Sequence, residues 1–352
     1  MSNQSNISSL KRFKIFLDDE RIWVSYQSKR LIEKGHNSAV FEGSLCGSAI
    51  VRDILLSPQR KAVISNIAIK VCHSECMAAN AGDYRVLPLL NHPRIPKLIG
   101  CSYDPLKKQA VYGLTLGSGD DMMTWIESKL PTEEILAPIA YKILEVVHYT
   151  HQQGIVHRDI KLENIIFTNE AQNDILLVDW GLATEYSTLE LLSMDCGSFH
   201  YCCPEIIARE SYFGPDADVW SLGVLLYAAL TGYFPFAGET PRDKLKCFQT
   251  SISFPLHISS EFHSLIQSFL QVNPKNRLSL SEALIHPWFI RYSSLHSSPS
   301  LSSSFSLSSS IGPPKRNSLE TIVQSSSSVD CIFFSKLSLS DALPQPFVKS
   351  SR

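Results

Sequence analysis

The stretch His157-Arg158-Asp159-Ile160-Lys161-Leu162-Glu163-Asn164 decides the fold of this chain. Two shorter stretches follow it, Val178-Asp179-Trp180-Gly181 and then Cys203-Pro204-Glu205. Phosphoryl transfer requires a carboxylate that accepts a hydroxyl proton, oxygen ligands for magnesium, and a cation that neutralises phosphate charge. The three stretches contain polar side chains for each of these requirements. The sequence therefore predicts a site built for phosphoryl-transfer chemistry.

In this order, the motifs resemble the eukaryotic protein kinase family over about residues 24–290, roughly three-quarters of the chain. The resemblance implies an α+β, bilobal protein kinase fold, with a small β-rich N-lobe carrying one helix and a larger α-helical C-lobe. It implies ATP and Mg²⁺ as cofactors. By the same resemblance, Asp159 orients and deprotonates the substrate hydroxyl, Asn164 and Asp179 hold magnesium, and Lys161 neutralises the transferring phosphoryl group.

Hydrophobic patterning along the chain supports a division into a β-rich lobe and a helical lobe. Short β-rich runs at residues 40–43, 66–71 and 109–116 predict a small antiparallel sheet. Beyond Thr132 the period becomes helical, with five apolar residues expected on one face: Ile135, Ile139, Ile143, Val146 and Val147. We expect an N-terminal extension over residues 1–23, the kinase domain over 24–290, and a serine-rich, disordered tail over 291–352.

Lys70 ends the run Ala68-Ile69-Lys70 on a predicted strand, where the family lysine reaches the α- and β-phosphates. The family pairs this lysine with a glutamate on the following helix, and counting back from Pro93 places Asp83 there. Aspartate is shorter by one methylene, roughly 1.5 Å of reach. Either the helix packs closer or the ion pair is looser, and activity could be reduced or gated at this point.

The glycine-rich loop departs from the family pattern as well. Only the middle glycine, Gly35, remains, while Glu33 and Ser38 add side chains where the family has none. We expect weaker or slower ATP binding rather than its loss. The resemblance implies nucleotide contacts at the following residues: Ile32, Gly35, Val40, Ala68, Lys70, Asp83, Leu114, Asp121 and Ile166.

Several further residues match structural positions of the family. Asp218 is expected to begin a buried helix and to anchor the catalytic-loop backbone, and Arg277 to pair with Glu205 as a buried bidentate contact. A stacked apolar column linking the lobes matches Leu87, Leu98, His157 and Trp180. The indole of Trp180 is larger than the phenylalanine more common in the family, so it needs a compensating cavity and a hydrogen-bond partner for its N–H. It could therefore bias the equilibrium between active and inactive conformations.

Lys161, together with Gly197-Ser198 before Tyr201, resembles serine/threonine kinases, nearest the calmodulin-dependent and AMP-activated-like branch. Asp121 and Glu163 match positions where basophilic kinases carry acids. This predicts protein substrates with basic residues upstream of the phosphosite. Met194 and Asp195 occupy the usual activating phosphosite, so control by phosphorylation there remains open.

The chain carries 32 Lys+Arg against 34 Asp+Glu, a formal net charge of -2, which favours neither nucleic acid nor an anionic membrane as partner. We find no secretory signal, no membrane span and no disulfide framework among nine cysteines, which predicts a cytoplasmic or nuclear protein. The tail could make regulatory contacts, and Lys315-Arg316 before Ser318 suggests a phosphosite.

Two alternatives stay open at this point. A pseudokinase, acting as a binding or scaffold module, is favoured by Asp83, Glu33 and Ser38, and opposed by the four catalytic and phosphate-binding side chains together. A small-molecule kinase on a related fold is disfavoured by the complete segment through Cys203-Pro204-Glu205.

Overall fold

The structure is a computed structural model. It describes residues 11–17, 22–34, 38–46, 66–73, 82–104, 106–117, 119–169, 171–188, 190–193 and 196–293. Gly35, Met194, Asp195, Ser318 and nearly all of the serine-rich tail lie outside these residues. Helices and strands are both abundant, which confirms the α+β class.

Six strands form an antiparallel closed barrel in the order β1-β2-β3-β4-β6-β5. They are β1 (Arg12–Leu17), β2 (Ile22–Lys34), β3 (Ser38–Leu45), β4 (Asn66–His73), β5 (Leu98–Asp104) and β6 (Gln109–Thr115). Alternation along β4 places Ile67, Ile69 and Val71 in the barrel interior. The side chains between them, including Lys70, therefore face the other way.

The barrel is closed by β1, which pairs with β2 along its length and meets β5 at Phe16 and Cys101. Its Ile15 and Leu17 are fully buried. Gly100 permits this contact, since a Cβ there would lie 2.1 Å from the Phe16 carbonyl oxygen. Part of the predicted extension over residues 1–23 thus packs as a strand of the barrel.

The remaining described elements are mostly helical. The first lies between β4 and β5, and the others follow β6. The helices are α1 (Gly82–Val86), α2 (Met122–Ser128), α3 (Glu133–Gln152), α4 (Pro204–Ile207), α5 (Gly214–Thr231), α6 (Pro241–Cys247), α7 (Ser260–Phe269), α8 (Leu280–Ala283) and α9 (Pro287–Ser293). Two-stranded pairs join β7 (Ile155–Val156) to β10 (Thr184–Glu185), and β8 (Ile165–Phe167) to β9 (Ile175–Leu177).

The long helix α3 confirms the predicted helical period, with one exception. Ile139, Ile143, Val146 and Val147 are buried, but Ile135 is 49% exposed. Ile135 shares this helical face, but it lies in the first turn, at the end of the face, and stays exposed. The helix continues through Pro138.

Helix α5 forms the centre of the helical core, and fifteen of its eighteen residues are buried. Such a helix needs neighbours on every side, and it packs against α3 and α7. A membrane-spanning helix would be longer or more apolar than any helix among the described residues.

Candidate active site

The loop after β7 carries the catalytic motif, and α5 holds its backbone. Asp218, 1% exposed, accepts hydrogen bonds from the backbone N–H groups of His157 and Arg158, both at 2.9 Å. Arg158 has a positive φ of 65° and donates from Nε to the Leu182 carbonyl at 2.7 Å. A buried carboxylate that satisfies two loop amides fixes the conformation of the loop.

Asp159 lies at the centre of a polar cluster. Its Oδ1 accepts hydrogen bonds from the backbone N–H and the hydroxyl of Ser198, each at 2.9 Å. Its Oδ2 lies 2.9 Å from Lys161 Nζ and 3.2 Å from Asn164 Nδ2. Four donors around one carboxylate hold it in a single orientation, as a general base requires.

Lys161 links the two sides of this cluster. Its Nζ contacts Asp159 and also donates to the Ser198 hydroxyl at 3.2 Å. Partial burial would lower the pKa of Lys161, but the Asp159 carboxylate outweighs it and the pKa is raised. The side chain therefore stays cationic at neutral pH and can face phosphate oxygens.

Lys70 lies between two carboxylates. It is 3% exposed, its Nζ lies 2.6 Å from Asp179 Oδ1, and it forms a second, buried ion pair with Asp83. Burial would lower the pKa of Lys70, but the Asp179 and Asp83 carboxylates raise it well above its ordinary value. Lys70 in turn lowers the pKa of Asp179 to about 2. The shorter side chain of Asp83 left open whether it would reach Lys70, and the ion pair is formed.

Asp83 also contacts the start of the segment after β9. Its second oxygen, Oδ1, accepts a hydrogen bond from the Trp180 backbone N–H at 3.2 Å. Asp83 is fully buried, and burial raises its pKa while Lys70 opposes this. One carboxylate thus ties α1 to both Lys70 and Trp180.

The indole of Trp180 has both the cavity and the partner that the sequence required. It is fully buried, and its Nε1 donates to the Leu177 carbonyl at 2.8 Å. The ring packs edge-on against His157 with centroids 4.6 Å apart. Leu87 is buried and Leu98 is partly buried in the same core. The four residues therefore share one packed core.

Asn164 and Asp179 fit a magnesium site by the chemistry of their donors. Asn164 Nδ2 donates to the Asp159 backbone carbonyl at 2.7 Å, which leaves the amide oxygen on the opposite side of the group. Asp179 stays ionised because of its lowered pKa, and its side chain is 36% exposed. Magnesium prefers a few carboxylate or amide oxygens, with substrate phosphates and water completing its shell.

The residues predicted to contact the nucleotide converge from several strands. Val40 is paired with Lys70, Ala68 with Leu114, and Asp121 with Ile166. Ile32 stands on β2 with 38% of its surface exposed. Gly35, between β2 and β3, lies outside the described residues. Strand pairing thus places Val40 beside Lys70 and Ala68 beside Leu114 on neighbouring strands, while Asp121 and Ile166 form a separate bridge.

Glu33, on an exposed part of β2, lies within electrostatic range of the site. Partial burial raises its pKa, and the Asp179 carboxylate raises it further, while Lys161 and Lys70 oppose the shift. Glu33 pairs with Val40 on β3. An added carboxylate here repels phosphate groups.

The two acids predicted to face substrate differ in their surroundings. Asp121 caps α2 by accepting from the backbone N–H and the hydroxyl of Thr124, both at 2.8 Å. Glu163 is exposed and accepts a hydrogen bond from the Tyr201 hydroxyl at 3.4 Å. Glu163 is therefore more available to a substrate cation than Asp121.

The predicted contact between Arg277 and Glu205 is present, but through one oxygen. Arg277 Nη2 lies 2.7 Å from Glu205 Oε2, whereas Nε and Nη1 donate to the carbonyls of Gln271 and Asp216 at 2.9 and 3.1 Å. The bidentate geometry was therefore wrong, because backbone carbonyls take the other donors. The pair still connects α4 with the segment between α7 and α8.

Sequence reasoning did not identify two contacts. The hydroxyl of Ser198 binds Asp159 directly, and Gly82 lies against the carbonyl groups of Trp180, Gly181 and Ala183. The serine belonged to a motif already singled out. In the sequence, the only hint that Gly82 matters for packing was its neighbour Asp83, which is shorter than the glutamate of the family.

The chain is similar in sequence to several known proteins. The family described as "Protein kinase domain" matches residues 59–289. Serine/threonine-protein kinase ppk25 of Schizosaccharomyces pombe is 35% identical over 202 residues, 57% of this chain and 47% of that protein. Probable serine/threonine-protein kinase MARK-A of Dictyostelium discoideum is 30% identical over 244 residues, 67% of this chain and 22% of that protein.

The human SNF-related serine/threonine-protein kinase is 34% identical over 210 residues, 58% of this chain and 27% of that protein. The chain spans less than half the length of each of these three relatives. Their names agree with the branch predicted from the sequence. The chain belongs to the protein kinase family.

Proposed function

We propose that this chain is a serine/threonine protein kinase that transfers the γ-phosphoryl group of ATP to hydroxyl groups of protein substrates. The observation that supports it most is the orientation of Asp159 by Lys161, Asn164 and Ser198. The Lys70 ion pairs with Asp83 and Asp179 add the phosphate-binding half of the site. The barrel and the helical part serve as the two lobes of the kinase domain predicted over residues 24–290, and β1 adds a strand from outside that range.

In the proposed reaction, Asp159 orients the substrate hydroxyl and accepts its proton as the oxygen attacks the γ-phosphorus. The bond between the γ-phosphorus and the oxygen shared with the β-phosphate breaks, and ADP leaves. Lys161 neutralises charge on the transferring phosphoryl group, and Lys70 holds the α- and β-phosphates of ATP. Asn164 and Asp179 hold Mg²⁺, which neutralises phosphate charge when bound. Positioning and electrostatic stabilisation account for most of the rate enhancement in such a site.

The test compares the purified chain with an Asp159→Asn variant, using Mg-ATP and a degenerate peptide library. We expect phosphate on serine and threonine peptides with the wild type and a loss of about 10²- to 10⁴-fold with the variant. Equal incorporation by the two proteins would contradict the proposal and favour the pseudokinase alternative. Asp83 and the altered glycine-rich loop motivated that alternative, but the intact ion pairs of Lys70 count against it.

We also propose that substrates carry basic residues upstream of the phosphosite, with Glu163 as the main contact. Its exposed carboxylate supports this preference, whereas Asp121 is engaged as a helix cap. Arginine-containing and alanine-containing peptides of otherwise equal sequence provide the test. A Glu163→Gln variant should lose the arginine preference, and a wild type without one would refute it.

For location, we propose the cytoplasm or the nucleus, on the basis of composition and the scattered cysteines. Imaging a fluorescently tagged full chain tests this, and signal confined to secretory compartments would contradict it. Regulatory contacts of residues 291–352 are part of the same proposal, and a truncated chain with unchanged activity and partners would remove them.

A further inference from the structure

The short helix α1 approaches the segment after β9 more closely than any side chain would permit. A Cβ on Gly82 would lie 2.1 Å from the Trp180 carbonyl oxygen, 2.7 Å from that of Gly181 and 2.8 Å from that of Ala183. All three atoms belong to backbone, which cannot swing aside as the end of a side chain can. Close approach of the helix is therefore possible only because residue 82 is glycine.

The next residue, Asp83, depends on this approach. Its Oδ2 pairs with Lys70 and its Oδ1 accepts the Trp180 backbone N–H. The backbone at Lys70 cannot move to meet it, because its strand is paired on both sides, with Val40 on β3 and Tyr112 on β6. The distance between helix and strand must therefore be set by the helix.

We infer that Gly82 is a positioning residue that compensates for the shorter acid at residue 83. Aspartate has one methylene less than glutamate, about 1.5 Å of reach. Glycine at 82 removes the Cβ that would hold the helix at a distance, so the shorter carboxylate still meets Lys70. Gly82 touches neither substrate nor Lys70 itself and acts through Asp83.

This inference rests on the proposed kinase function for its catalytic readout, and two readouts without catalysis accompany it. The experiment uses the full chain with Gly82→Ala, Asp83→Glu and the double variant. The measurements are peptide phosphorylation, the Kd for Mg-ATP by calorimetry, and Tm.

A methyl group at residue 82 should push α1 away and break the Asp83 contact, lowering kcat/KM by about 10²-fold. Asp83→Glu alone should lower it by about tenfold, because the longer side chain is crowded in a gap fitted to aspartate. The double variant should exceed both single variants in activity, ATP affinity and Tm, since the longer side chain spans the widened gap.

Gly113→Ala is the matched control. A Cβ there would meet the Ile15 side chain at 2.9 Å, so it crowds the barrel interior and not the contact between α1 and the segment after β9. Asp83→Glu should not rescue this variant in any measurement.

A double variant no better than Gly82→Ala, or an Asp83→Glu variant as active and stable as the wild type, would overturn the inference. If Gly82→Ala fails to fold, the Tm and ATP affinity of Asp83→Glu still decide the question. If the wild type matches Asp159→Asn in phosphorylation, the proposed function fails, while Kd and Tm continue to test the role of Gly82.

Discussion

The hydroxyl-facing half of the site and its phosphate-facing half differ in how they follow the kinase family. Around Asp159, each residue expected from the resemblance is present and within hydrogen-bond distance of a partner. Around Lys70, the acid is shortened to Asp83 and the glycine-rich loop carries Glu33. The Lys70 contacts nevertheless form, because Gly82 lets the α1 backbone lie close to the segment after β9.

The difference indicates which half of the site tolerates a change of residue type. Proton transfer depends on one carboxylate oxygen held near one hydroxyl, so the side chains around Asp159 have little freedom to vary. Holding a charged phosphate depends mainly on the position of a cation, which a nearby helix can adjust. The following predictions test whether the two halves act separately, beginning with the largest expected effect.

Lys70→Met should lower activity by at least 10²-fold and weaken Mg-ATP binding, because the phosphate-facing cation is lost. It should also destabilise the protein by about 3–5 kcal/mol, since the buried Asp83 carboxylate loses its partner. Peptide phosphorylation, calorimetry and urea unfolding measure the three effects.

The matched variant Lys70→Met/Asp83→Leu removes both buried charges. It should recover most of the lost stability without recovering activity. An equally unstable double variant would show that the pair is not the source of the stability change.

Ser198→Ala should lower kcat about tenfold while leaving the Kd for Mg-ATP unchanged, since the hydroxyl loses its hydrogen bonds with Asp159 and Lys161 but no contact with Lys70. Ser198→Thr keeps the hydroxyl and should keep kcat near the wild-type value. A parallel loss of ATP affinity in the alanine variant would show that the two halves are coupled.

Glu33→Gln should strengthen Mg-ATP binding by about two- to fivefold at neutral pH, because one carboxylate that repels phosphate is removed. The pKa of Glu33 is raised, so the wild-type side chain protonates as the pH falls through that raised value. The two proteins should therefore converge in affinity at mildly acidic pH. Calorimetry at several pH values measures this, and a constant difference would exclude Glu33 as its source.

Sequence patterns predicted the strands around Lys70, most of the buried face of α3 and the residues that surround Asp159, because local spacing specifies these features. They did not predict that Arg12–Leu17 closes the barrel. A strand edge finds its partner through contacts distant in the chain, here at Cys101. The exposure of Ile135 was missed for a similar reason, since the period of a helix does not show where the elements packed against that helix end.

The amino-acid sequence alone determined the family and the α+β class and predicted which side chains react, since each follows from residue type and local order. Only the tertiary structure decided whether the shorter Asp83 could reach Lys70. That outcome depends on the separation between a helix and a strand, and Gly82 sets it through contact with carbonyl groups nearly a hundred residues away. Sequence spacing carries no direct measure of such a distance.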